Sequence, residues 1–282
     1  QSWLELLESG EIDSGFWAFY PQYLIGSMSQ FSIIIPTWNH LWYVVYLMIY
    51  TLVLLPFARP LASLMSGIGG RLSGKILSGK RGVVVVMLIP VIPFLIFRLW
   101  LKPLFPSTHA LIDDWANHQI YFTIFVFGFM IAKDTAFWQA VGRALKPASA
   151  MVFLIAIIAS LVWYGENNNV DFAYLDPIER YSERIRKTAY AWFCILSLLG
   201  ISQQWFNRSS KALTYMSEAI FSWYILHQTL IIMAGYWLTR QNLSVAVEFI
   251  ALCALTIFGC LFIHECFIRR WLWIRPLFGL KM

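Results

Sequence analysis

The chain has 282 residues, of which 59% are hydrophobic and only 13% are charged. Soluble domains carry about 25% charged residues, so this composition excludes a soluble globular protein and indicates an integral membrane protein. The formal net charge of +6 is not a signal of nucleic-acid binding, because the basic residues concentrate in alternate loops and thereby report membrane topology. We expect no nucleic-acid partner.

The first 37 residues predict a segment that lies at the membrane surface. They contain four acidic residues and no Lys or Arg, and Trp3, Leu4, Leu6 and Leu7 suit a short interfacial helix. We therefore expect residues 1–37 to form an extracytoplasmic segment, and the remainder, residues 38–282, to form the transmembrane domain.

Seven apolar segments of membrane length follow, which predicts an all-α bundle of about seven transmembrane helices. A helix rises about 1.5 Å per residue, so roughly 20 residues cross the hydrocarbon core. Pro90 and Pro93 are expected to kink the second segment. The segments are residues 38–57, 83–101, 119–132, 148–164, 188–203, 217–238 and 244–267.

Basic residues predict how these segments are oriented. If the N-terminal segment is outside, fourteen of the 21 Lys and Arg residues fall in the inner loops, and eleven of the fifteen acidic residues fall outside. Lys and Arg prefer cytoplasmic loops. The sequence therefore predicts an N-out, C-in protein that crosses the inner (plasma) membrane several times and is surrounded by membrane lipid.

The segment at residues 217–238 carries His227 and Gln228 near its midpoint. A polar side chain at that depth is costly unless it faces other helices or a wet cavity, so it indicates a functional site. At 100° per residue, Tyr224 and Gln228 share a face and His227 lies beside them. His227 is the candidate catalytic residue; alternatively, it only hydrogen-bonds a neighbouring helix.

A second polar group is predicted at the outer membrane level, formed by His40, Asp113, Asp114 and His118. A histidine with a carboxylate beside an apolar wall can act as a general base on a hydroxyl, and it can equally form an interfacial hydrogen-bond network. The H-x-x-x-H and H-E-x-x-H spacings of metal sites and the G-x-S-x-G motif of serine hydrolases do not occur. No metal is expected.

Four short motifs span residues 38–279. In chain order they are His40-Leu41-Trp42-Tyr43, then Asp114-Trp115 with Phe127-Gly128, then Ser222-Trp223-Tyr224-Ile225-Leu226-His227-Gln228, and finally Arg275-Pro276-Leu277-Phe278-Gly279. In this order they resemble the acyltransferase-3 family of multi-pass membrane acyltransferases. The nearest resemblance is to the branch that transfers succinyl groups to osmoregulated periplasmic glucans.

The resemblance implies an O-acyltransferase. Such an enzyme passes an acyl group of the acetyl or succinyl type from cytoplasmic acyl-CoA to a hydroxyl of an extracytoplasmic glycan or glycolipid. In this interpretation His227 is the candidate catalytic residue in a cavity between donor and acceptor. The residues expected to bind substrate are His40, Trp42, Asp114, His118, Tyr224 and Gln228.

The first elements of the family have no counterpart in this sequence. Members begin with a helix that bears a basic residue and a histidine essential for transfer, followed by an arginine-bearing cytoplasmic loop. We therefore expect the chain to be the C-terminal part of an acyltransferase of about ten helices, with the residues above positioning substrates and the main base on the missing helices. The alternatives are a catalytically incomplete fragment and a transporter or lipid flippase with a midplane polar site.

Overall fold

All regular structure in the described residues is helical. The computed structural model describes residues 2–13, 15–25, 31–32, 39–168 and 176–281, and the predicted all-α class is confirmed for this part of the chain. The predicted start of the transmembrane domain at residue 38 lies outside the described residues. The division of the chain at that point stays a prediction.

Twelve α-helices are present in the described residues. They are α1 (Ser2–Glu8), α2 (Phe16–Ile25), α3 (Trp42–Leu64), α4 (Gly70–Ile76), α5 (Gly79–Leu88), α6 (Val91–Ile96), α7 (Lys102–Leu104), α8 (Trp115–Ile131), α9 (Thr135–Asn167), α10 (Asp176–Ile201), α11 (Lys211–Leu238) and α12 (Val245–Ile263). The chain forms two compact units, which are described separately. One comprises residues 42–208, and the other comprises residues 1–41 with 209–282.

Within the part of the chain that the structure describes, five helical stretches are long and apolar enough to cross a membrane, and they overlap five of the seven predicted segments. The other two predicted segments are helical as well: α8 has 17 residues, and residues 188–203 lie in α10 and the π-helical turn that follows it. The count of seven spans and their orientation stay predictions. The five stretches are Trp42–Ile76, Gly79–Leu104, Thr135–Gly165, Lys211–Leu238 and Val245–Ile268.

In the unit of residues 42–208, the second predicted segment is interrupted at Pro90, one of the two prolines expected to kink it, whereas α6 continues through Pro93. Helix α5 ends at Leu88 and α6 begins at Val91. In a continuous helix the carbonyl of Val86 would accept a hydrogen bond from the amide of residue 90, which proline lacks. The indole Nε1 of Trp192 donates to this carbonyl instead, at 3.0 Å. A neighbouring helix thus satisfies the polar group that the proline leaves unpaired, as is required in hydrocarbon.

Small residues form the buried face of α9 in the core that it shares with α5 and α10 in the same unit. Ala140, Ala144 and Ala148 recur every four residues on one face of α9, and all three are completely buried. Small residues at this spacing let helix backbones approach each other where lipid supplies no hydrophobic driving force. The aromatic side chains of Trp192 and Phe193 fill the remaining space of this core.

The other unit is built on α11 and α12. Helix α11 begins at an N-cap, because the Ser210 hydroxyl accepts a hydrogen bond from the Leu213 amide at 3.1 Å. Helices α1 and α2 pack around a small core of Leu6, Ile12 and Phe19, all of which are buried. The predicted short N-terminal helix is confirmed by α1.

The Trp192 hydrogen bond is expected to contribute to the stability of the folded protein. Trp192→Phe keeps the ring in the core but leaves the Val86 carbonyl unpaired, so we expect the variant to lose about 1–3 kcal/mol of stability and to melt at a lower temperature in detergent. Trp163→Phe is the matched control, since Trp163 is 65% exposed on α9 and should melt like the wild type. Equal melting temperatures for all three proteins would contradict this role of the indole.

Candidate functional site

His40 and Tyr224 hold each other through two hydrogen bonds in the unit of residues 1–41 and 209–282. His40 lies in the 3₁₀ turn Asn39–Leu41, and Tyr224 lies on α11. The Tyr224 hydroxyl donates to the backbone carbonyl of His40 at 2.6 Å, and Nε2 of His40 lies 3.0 Å from the backbone carbonyl of Tyr224. A carbonyl oxygen only accepts hydrogen bonds, so Nε2 of His40 carries the proton.

The same carbonyl also binds His227. Nδ1 of His227 lies 2.7 Å from the Tyr224 carbonyl oxygen and 3.2 Å from that of Trp223, so Nδ1 is its protonated nitrogen. The rings of His40 and His227 meet edge to face, with centroids 5.2 Å apart. The structure thus brings together four residues that the sequence predicts for the site: His40, Tyr224, His227 and, on the next position of α11, Gln228.

Fixing these two protons determines where the lone pairs of the histidines lie. A neutral imidazole has one donor and one acceptor nitrogen, so the acceptors are Nδ1 of His40 and Nε2 of His227. Nδ1 of His40 is buried and has no hydrogen-bond partner among the described residues. A buried, unpartnered acceptor is costly in a protein interior. The described residues contain other such atoms, among them both nitrogens of His264, and His40 is the one that also lines the cavity described next.

A cavity of ≈ 410 Å³ lies beside His40. Its volume falls within the range of about 300–1,000 Å³ that is usual for small-molecule sites. The wall is mainly apolar, and its polar positions are His40, Gln228 and Thr229. The lining residues are Trp3, Leu4, Phe16, His40, Gln228, Thr229, Ile232 and Met233.

Asp114, another predicted site residue, lies in the unit of residues 42–208 and is completely buried. Its carboxylate accepts hydrogen bonds from the Tyr46 hydroxyl at 2.7 Å, from the Asn117 side-chain amide at 3.0 Å and from the Thr108 backbone amide at 3.3 Å. Burial on its own raises the pKa of the Asp114 carboxyl, but these hydrogen bonds outweigh burial and hold the pKa below its usual range.

His118 belongs to the same network. Nε2 of His118 donates to the Leu111 carbonyl at 3.0 Å, so Nδ1 accepts the hydrogen bond of the Tyr50 hydroxyl at 2.8 Å. Both nitrogens of His118 therefore have partners within this unit. For Asp114 and His118 the structure favours the hydrogen-bond network over the general base, the two alternatives that the sequence leaves open.

Trp42 lies in the same unit and covers the loop before α8. Its ring centroid is 4.5 Å from that of His109 and 5.7 Å from that of Tyr121. His109 has a positive φ of 55°, which is uncommon for a residue with a side chain. Substrate binding by Trp42, Asp114 and His118 stays a prediction.

Trp3, Phe16 and Thr229 belong to the cavity, but the sequence does not predict them as site residues. The apolar pattern assigns Trp3 and Phe16 only to a surface segment, and nothing local in the sequence indicates that they contact the cavity beside His40. Within the part of the chain that the structure describes, no group of three or more His, Cys, Asp or Glu side chains is arranged to hold a metal ion.

A protein-family model matches nearly the whole chain. The family model described as "Acyltransferase domain", which defines the acyltransferase-3 family, matches residues 8–265. No curated protein and no solved structure matches the chain. The matched region includes the cavity residues from Phe16 to Met233, so it contains the histidine pair.

Because the pKa of Asp114 is lowered, its contribution to stability is expected to depend on pH. A carboxylate whose pKa is lowered by folding stabilises the protein above its unfolded pKa, and this stabilisation is lost as the pH falls through the folded pKa. Asp114→Asn should therefore melt below the wild type at pH 7, and the gap should narrow as the pH is lowered below about 4. Thermal melting in detergent across this pH range measures the difference in melting temperature between the variant and the wild type.

Asp113→Asn is the matched control, because Asp113 is the exposed neighbour of Asp114. It should follow the wild-type curve throughout. A gap between Asp114→Asn and the wild type that stays constant from pH 7 to pH 3 would show that the Asp114 charge contributes nothing.

Proposed function

The chain belongs to the acyltransferase-3 family, and we propose that this membrane acyltransferase transfers an acyl group from acyl-CoA to a hydroxyl of an extracytoplasmic glycan or glycolipid. Family membership supports acyl transfer in general. The observation that supports the site is the backbone carbonyl of Tyr224, which accepts hydrogen bonds from Nε2 of His40 and Nδ1 of His227. The remaining nitrogen of His40, Nδ1, is therefore a buried acceptor.

We assign His40 as the group that accepts the proton of the acceptor hydroxyl. The hydroxyl oxygen attacks the carbonyl carbon of the thioester while its proton moves to Nδ1 of His40. The carbon–sulfur bond then breaks, and the proton passes from His40 to the departing sulfur, so that CoA leaves as the thiol. Nδ1 is buried, so the acceptor hydroxyl would approach it from the cavity that His40 lines, and catalytic hydrogen bonds often tighten only in the substrate complex.

Tyr224 prepares His40 for this step. Its carbonyl holds Nε2–H and stabilises the imidazolium that forms when Nδ1 gains a proton, as the orienting group does in other histidine-based sites. His227, the candidate catalytic residue of the sequence interpretation, shares this carbonyl and contacts the His40 ring. We propose that it helps to fix that ring, and that Gln228 binds the acceptor where it lines the cavity.

The proposal also includes the topology. Seven spans with an N-out, C-in orientation in the inner membrane would place the cavity, at the C-terminal half of α11, toward the outer side where a glycan is available. The basic inner loops would face the anionic acyl-CoA. Five apolar stretches of sufficient length and the distribution of Lys and Arg support this arrangement. A succinyl donor and a periplasmic glucan acceptor remain part of the proposal.

Substitution of His40 tests the catalytic assignment. In the full chain reconstituted into bilayers, His40→Ala should lower transfer of radiolabelled acyl groups from acyl-CoA to a glycan fraction by about 10²–10⁴-fold, the usual contribution of a general base. His40→Gln retains a side-chain donor for the Tyr224 carbonyl but lacks a basic nitrogen, so it should be equally impaired.

Several outcomes would count against this assignment. Wild-type transfer by His40→Gln would reduce His40 to a positioning residue, and strong loss in His227→Gln alone would move the base to His227. Movement of a lipid or solute across the bilayer, with no acyl transfer by the wild-type chain, would favour the transporter alternative instead.

A further inference from the structure

We infer that α1, α2 and the end of α11 form a binding cleft for a neutral, hydroxyl-rich glycan, whose sugar rings stack on a row of aromatic side chains. The row consists of Trp17, Phe16 and Trp3. This inference rests on the proposed function in one respect, namely that a hydroxyl of the bound glycan reaches His40.

The aromatic row runs from an exposed end to the cavity wall. Phe16 lies between two tryptophans, with its ring centroid 5.1 Å from Trp17 and 5.9 Å from Trp3. Trp17 is 81% exposed, and Phe16 is 42% exposed. Exposing several large aromatic rings side by side is unfavourable in water, and such contiguous patches mark interaction sites.

The inner end of the row is part of the cavity beside His40. Trp3 and Phe16 both line it, opposite the polar side chains of Gln228 and Thr229. A sugar ring has apolar C–H faces and a polar rim of hydroxyls, so it suits a wall that combines aromatic rings with a few hydrogen-bonding groups. A glycan stacked along the row would therefore present one residue to His40.

Carboxylates border the same cleft. A second depression of ≈ 270 Å³ adjoins the cavity, since both are lined by Leu4 and Ile232, and Glu5 and Glu8 lie on its wall. Ionised carboxylates only accept hydrogen bonds, and hydroxyl groups are the donors that a glycan supplies in number. Arg240, which also lines it, is placed over the ring of Tyr236 at 3.4 Å.

The charge of this segment disfavours an anionic ligand. Residues 1–25 contain four acidic residues and no Lys or Arg, so they repel anionic polysaccharides as well as the anionic head groups of a bilayer. Exposed Trp and Tyr residues also occur as membrane-interface anchors. The continuity of the row with the His40 cavity and the adjacent carboxylates favour the glycan.

Binding can be measured separately from acyl transfer. The full chain in lipid nanodiscs is titrated with a neutral glucose oligosaccharide, without acyl-CoA, and binding is followed by calorimetry. We expect saturable binding that Trp17→Ala weakens by about tenfold, an ordinary loss for an aromatic contact residue, and that Trp17→Phe largely restores. Glu8→Gln should weaken binding several-fold, and an oligosaccharide carrying carboxylates should bind less well than the neutral one.

Trp163→Ala is the matched control, because Trp163 is an exposed tryptophan on α9 in the other unit, and it should bind the oligosaccharide like the wild type. Binding by Trp17→Ala equal to that of the wild type would overturn the inference, and so would a preference for the carboxylated oligosaccharide. Loss of association with vesicles in Trp17→Ala, without any glycan binding by the wild type, would assign the row to the membrane surface and likewise overturn it.

The two proposals can fail independently. Normal oligosaccharide binding with no acyl transfer from acyl-CoA would leave the cleft in place and refute the proposed function. Acyl transfer with an unchanged KM for the glycan in Trp17→Ala would leave the function in place and refute the cleft. A raised KM with unchanged kcat is the result expected when both are correct.

Discussion

In a bundle of helices exposed to hydrocarbon, a polar group without a partner is costly, and hydrogen bonds supplied by the protein itself satisfy important polar groups in both units. The carbonyl that Pro90 leaves without an amide receives the indole of Trp192. The buried carboxylate of Asp114 receives hydrogen bonds from Tyr46 and Asn117. The histidine pair follows the same rule, except that Nδ1 of His40 is left without a partner among the described residues.

That exception distinguishes the His40 site from the network around His118. Both histidines donate Nε2–H to a backbone carbonyl. The remaining nitrogen of His118 accepts the Tyr50 hydroxyl, which completes its hydrogen bonding within its unit. The remaining nitrogen of His40 is buried without a partner among the described residues, and His40 lines a cavity. The proposed function rests on this difference between the two histidines.

The sequence predicts those features that depend on local spacing. The apolar segments, the break at Pro90, and the proximity of His227 to Tyr224 and Gln228 all follow from the helix period or from the chemistry of proline. The hydrogen bonds between His40 and Tyr224 join residues 184 positions apart, and the entry of Trp3 and Phe16 into the cavity depends on how α1 and α2 pack. Neither contact has a local signal, so the sequence offers His227 only as a candidate catalytic residue and assigns Trp3 and Phe16 only to a surface segment.

If one carbonyl, that of Tyr224, fixes the protons of both histidines, their tautomers should be visible by nitrogen NMR. Solid-state spectra of the chain with ¹⁵N-labelled histidine in bilayers distinguish the two neutral tautomers, and the spectrum of His227→Gln assigns the signals. We expect the Nε2–H form for His40, the Nδ1–H form for His227, and a change in the Nδ1 signal of His40 when a glycan acceptor is added. An Nδ1–H tautomer at His40, or a signal unaffected by the acceptor, would contradict it.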